Sequence, residues 1–104
     1  MELIGRISAN EDLLTIELES GLHQVLTPQH AEILVEKLLE FSQKRGQAEI
    51  KLSSFRILAM QSDSHGVLFC VFTRGAELKN WVLVEDGHTE EVVKLIRDAL
   101  KTMG

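Results

Sequence analysis

Residues 67–72, Val-Leu-Phe-Cys-Val-Phe, are apolar without interruption. A run this short, bounded by Gly66 and by Thr73-Arg74-Gly75, reads as a strand. Side chains alternate along a strand, so Val67, Phe69 and Val71 point one way and Leu68, Cys70 and Phe72 the other. A strand that is apolar on both sides belongs inside a sheet with both faces covered. The rest of the chain must therefore supply flanking strands and two layers of cover, or leave one face to something outside it.

Helical cover comes from two segments. Thr27 can accept from a free backbone N–H in a first turn, and Pro28 suits the first helical position because its missing donor costs nothing there. Ala31, Leu34, Leu38 and Phe41 follow at helical spacing, widened by Val35 and Leu39. Lys44-Arg45 suits the negative end of the helix dipole, and Gly46 ends the segment. The spacing predicts a helix over 28–45. A second helix is predicted over 89–102, capped by Asp86 or Thr89, with Glu90-Glu91 at its positive end and Val92, Ile96, Ala99, Leu100 and Met103 on its buried stripe.

The remaining segments alternate with period two. Leu3 to Ser8 and Leu13 to Glu19 read as a hairpin around the polar turn Ala9 to Asp12, and Leu22 to Leu26 as a further short extended piece. The alternation of Ala48, Ile50 and Leu52 slips by one residue to Phe55, Ile57 and Ala59. That slip calls for a bulge at Ser53-Ser54 or for two strands with a tight bend. Arg74 to Glu77 reads as a turn and Trp81 to Val84 as a last short strand. The order is β-β-α-β-β-β-α. The fold class is α+β, with a mainly antiparallel sheet of four to five strands and two amphipathic helices. Leu34, Leu38, Phe69, Val71, Leu83, Ile96 and Leu100 are the expected shared core.

All 104 residues fit one domain, and 44% hydrophobic with 26% charged residues is ordinary for a globular chain. One cysteine permits no internal disulfide, and Met1 to Arg6 lacks the character of a signal peptide. No apolar run approaches a membrane span. The expectation is a soluble, cytoplasmic protein. A net charge of −5 with scattered basic residues disfavours nucleic acid, which would need Lys44, Arg45, Arg56 or Arg74 gathered on one face.

No pattern carries chemistry by itself. His23, His30, His65 and His88 are dispersed. Asp63-x-His65 and Asp86-x-His88 could each be half of a metal site, but both fall where turn chemistry favours these residues. Cys70 lies in an apolar strand, where burial raises a thiol pKa. Glu17 with Glu19, and Glu85 with Asp86, adjoin no evident apolar pocket, and no glycine-rich phosphate loop is present. Arg56 interrupts an apolar run and is expected to pair with a carboxylate across the sheet. Arg74 ends the central strand as a solvated turn residue. Trp81 could anchor a partner, but its apolar neighbours favour a place in the core. No catalytic residue, metal or cofactor is assigned.

Two helices can cover one face of a small sheet. If they take opposite faces, nothing is left over. If they share a face, Leu68, Cys70, Phe72, Val82 and Val84, or the opposite set, await another subunit. The sequence therefore points to a non-enzymatic protein–protein interaction module of adaptor, regulatory or chaperone-like type, a homodimer or the partner of another protein. Its interface candidates are Leu68, Phe72, Trp81, Val82 and Val84. The alternative is a small-ligand-binding or enzymatic domain with its pocket between sheet and helices.

Overall fold

A computed structural model describes residues 2–75 and 81–103. Among them are seven strands and two helices: β1 (Glu2–Asn10), β2 (Leu13–Leu18), β3 (His23–Leu26), α1 (Pro28–Gln43), β4 (Gln47–Lys51), β5 (Arg56–Ser62), β6 (Gly66–Thr73), β7 (Val82–Glu85) and α2 (Thr89–Thr102). The class is α+β. Ala76, Glu77 and Asn80 lie outside the described residues, so the second half of the expected turn does too.

The strands form one mixed sheet in the order β3-β2-β1-β7-β6-β5-β4. Seven strands replace the four to five expected. Leu22–Leu26 contributes a full strand from His23 onward, and the slipped alternation at Ser53-Ser54 resolves into two strands with a bend. There Ser53 Oγ accepts from the N–H groups of Phe55 and Arg56, and Leu52 N–H donates to Arg56 carbonyl oxygen at 2.9 Å. The neighbouring strands are antiparallel except β1 and β7, which run parallel over Glu2↔Val82 and Leu3↔Leu83. A bulge between Ile4 and Arg6 then bends β1 away from β7, and its remaining length pairs with β2 alone.

Both helices lie on one face of this sheet. α1 packs on β2, β3, β5 and β6, α2 on β1, β2 and β7, and the two touch each other. Their buried stripes meet Leu14, Ile16, Leu26, Leu58, Met60, Val67 and Phe69 in one cluster. α1 starts as its cap chemistry dictates, with Thr27 Oγ1 accepting from His30 N–H at 3.3 Å. It ends earlier than 45: Lys44 is its C-cap in extended backbone, its N–H donating to Glu40 carbonyl oxygen. Neither Lys44 nor Arg45 therefore belongs to the last turn. α2 matches its expected span, but its N-cap residue is His88, which makes no side-chain cap bond.

The sheet curls, and two polar side chains close the curl. β7 pairs with β6 only from Gly66 to Phe69. The next amide on that edge, Val71 N–H, has passed the end of β7 and donates to Gln24 Oε1 on β3 at 3.1 Å. Arg56 on β5 reaches the same strand, its Nη2 donating to Val25 carbonyl oxygen at 2.9 Å. Arg56 thus satisfies a backbone carbonyl and not the carboxylate expected. Strands far apart in the sheet order are tied together at this end of the core.

Candidate functional site

Of the interface candidates, the structure keeps some together and separates others. The β6–β7 register pairs Val67 with Val84, Leu68 with Leu83 and Phe69 with Val82. Val82 and Val84 therefore join Phe69 beneath the helices, at 0% and 1% exposure. They belong to the core, and the surplus set loses both. Leu83 takes the opposite face with Leu68, so it is not a core partner of Phe69 as expected. Val71 and Leu100, also expected as core, are half-buried at its margin.

The face without helices carries Ile57 and Ala59 on β5, Leu68, Cys70 and Phe72 on β6, and Leu83 on β7. Leu3 lies beside Leu83 through the parallel pairing. Ala59, Leu68 and Cys70 are already buried within the chain. Around them Leu3, Ile57, Phe72, Trp81 and Leu83 are half-buried. Trp81 lines a hollow of about 450 Å³ with Ala59 and Gln61. Phe55, in the bend beside this region, is 72% exposed. The outcome is a half-exposed apolar ring around a buried centre, confined to β5, β6, β7 and the start of β1.

The polar candidates have local duties. Asp63 Oδ1 accepts from His65 N–H at 2.7 Å and Gly66 N–H at 3.1 Å, so its carboxylate shapes the turn before β6. His88 caps α2. Among the described residues no three His, Cys, Asp or Glu side chains gather to hold a metal ion. Glu17 faces Arg6 on one neighbouring strand and His23 on the other. Arg56 is tied to the carbonyl oxygen of Val25 by Nη2. No described helix is long and apolar enough to cross a membrane.

Two further concavities lie on the outside. One, of about 420 Å³, opens where β1 parts from β7 below the start of α2, and brings together Arg6, Glu19, Glu85, His88 and Glu91. The other, of about 600 Å³, is the outer seam between α1 and α2. Sequence reasoning missed both, because each depends on which strands and helices become neighbours. The space between sheet and helices is filled by side chains such as Leu34, Leu38, Phe69 and Ile96, all fully buried.

No protein-family model, curated protein or solved structure matches this chain.

Proposed function

We propose that the chain is a non-enzymatic interaction module that self-associates through the sheet face opposite its helices. One observation carries the reading: both helices sit on the same face, so Leu3, Ile57, Phe72, Trp81 and Leu83 are left half-exposed on the other. Covering such a patch removes apolar surface from water, and a two-fold dimer covers it on both copies at once. Ile57 and Phe72 lie opposite each other on neighbouring strands, so they form one contiguous element of that surface.

Trp81 is the chain's one tryptophan and lies at this face, which makes its emission a direct report. Sedimentation at micromolar concentration should give twice the chain mass, and dilution should red-shift Trp81 emission as the dimer separates. A monomer across that range, with emission independent of concentration, would defeat the self-association reading.

A second reading has its own observation. The cleft where β1 leaves β7 brings cationic Arg6 and three carboxylates to one mouth, a pattern suited to a small polar ligand. Screening small charged metabolite classes by amide shift changes confined to Arg6, His88 and Glu91 would favour it, and an unperturbed cleft would dismiss it.

A further inference from the structure

We propose that the outer seam between α1 and α2 binds an amphipathic α-helix of another protein, and that its oppositely charged walls fix the direction in which that helix lies. The floor is apolar: Val35 and Leu39 from α1, Leu100 from α2. Glu32 and Glu36, one turn apart, form the α1 wall. Arg97 and Lys101, also one turn apart, form the α2 wall. A second hollow of about 440 Å³ shares Leu39, Arg97 and Lys101 and continues to Glu90, Val93, Lys94 and Asp98, so the α2 wall is basic along Arg97 and Lys101 and mixed in charge beyond them. The two together make a trough that follows the helices. The N-terminal half of α1 lines it beside the C-terminal half of α2, and Leu39 reaches the N-terminal half of α2. The helices therefore run in opposite directions along it.

Shape selects a helix. A third helix packs onto two by setting its ridge of side chains into the groove between them, at an axial separation of about 8–10 Å. An extended peptide would find no sheet edge here, since both walls are helices whose backbone groups are internally bonded. A second copy presenting the same trough would set concavity against concavity and leave a void. The convex, apolar stripe of one foreign helix fills the space.

Charge selects the direction. Among the described residues the ion pair is Lys37–Glu40, within α1, so the acidic and basic walls of the trough are not joined to each other. They face outward as separate rows. A bound helix with lysines along one edge of its stripe and glutamates along the other places its lysines over Glu32 and Glu36 and its glutamates over Arg97 and Lys101. Turning that helix by half a rotation about the surface normal keeps its stripe down but exchanges its edges and reverses its direction. One direction therefore gives attraction on both walls and the other repulsion on both.

The test uses the whole chain, isotope-labelled, and two capped peptides of about fifteen residues, four helical turns. Both carry a leucine stripe. One has lysines and glutamates on opposite edges and the other has those edges exchanged. Each bears a nitroxide at its N-terminus. Both should bind with amide shifts at Val35, Leu39 and Leu100. One label should broaden the Glu32 end of the trough, its twin the Val93 end. In E32K/E36K both walls are basic, so the directional preference should vanish. Affinity for a third peptide, with glutamates on both edges, should then rise roughly tenfold, as two rim pairs turned from repulsion to attraction allow. No shift at Val35, Leu39 and Leu100, or two labels that broaden the same end, would overturn the proposal. Neither result depends on whether the chain is a dimer through its sheet.

Discussion

Gly66 opens β6 at φ +153° with its α-carbon pressed against β7: a Cβ there would collide with the carbonyl oxygen of Val84. Glycine alone tolerates both the backbone angle and the approach. Gly66→Ala should therefore destabilise by more than about 2 kcal/mol, combining strain with a forced shift of a strand pairing. Urea denaturation reads this directly, and a midpoint within error of the parent would refute the packing of β6 on β7. Leu38 poses a simpler case. It is fully buried on the α1 stripe. Leu38→Ala should cost roughly 2–5 kcal/mol, with the spread set by how far the cavity collapses. The Leu38 stripe was legible in the sequence because 3.6-residue spacing is a local property. The faces of Val82 and Leu83 were not, because both residues are apolar and only the partner strand's register chooses between them.

β3 is the element whose role depends most on tertiary contacts. It has four residues, hydrogen-bonds along one edge to β2, and is otherwise tied down by Gln24 and Arg56. Gln24 is 8% exposed, a polar side chain on the same side of β3 as buried Leu26. It is accommodated because it accepts the N–H that β7 is too short to reach. Replacing it by leucine keeps the volume and strands that donor, at a cost of about 1–3 kcal/mol. Gln24→Leu should also speed amide exchange at Val71 by more than at Phe69, whose partner strand is intact. Equal protection at the two sites would show that Gln24 does not hold the curl. Arg56→Met removes the second tie and retains the stem, so exchange along β3 should rise while α2 is unaffected.

At the scale of the whole molecule, one helical layer and one curled sheet leave an apolar ring on the far face. Two charge substitutions on adjacent strands separate the dimer reading from general damage. Phe72→Glu places a carboxylate on the ring and should dissociate the dimer while preserving most of the far-ultraviolet spectrum. Val82→Glu buries a charge in the core under the helices, and should unfold the chain at any concentration. If Phe72→Glu sediments as the parent does, the ring is not the contact surface.

The sequence by itself determined the two helices, the period-two segments between them, the Thr27-Pro28 start and the α+β class. These rest on spacing and capping within a few residues, where chain connectivity already places the interacting groups. It also marked a break at Ser53-Ser54 through a slip in phase, and left a bulge and a bend between two strands as alternatives. Tertiary structure decided the rest: the parallel joining of β1 to β7, the bulge that turns β1 away, the face on which Val82 and Val84 lie, and the partners of Gln24 and Arg56. Gln24 bonds Val71 and Arg56 bonds Val25 across 47 and 31 positions of chain. Pairings at that distance compete with many others of similar local chemistry. They are selected only when burial of the whole core makes one register, and one curl of the sheet, lower in free energy than its alternatives.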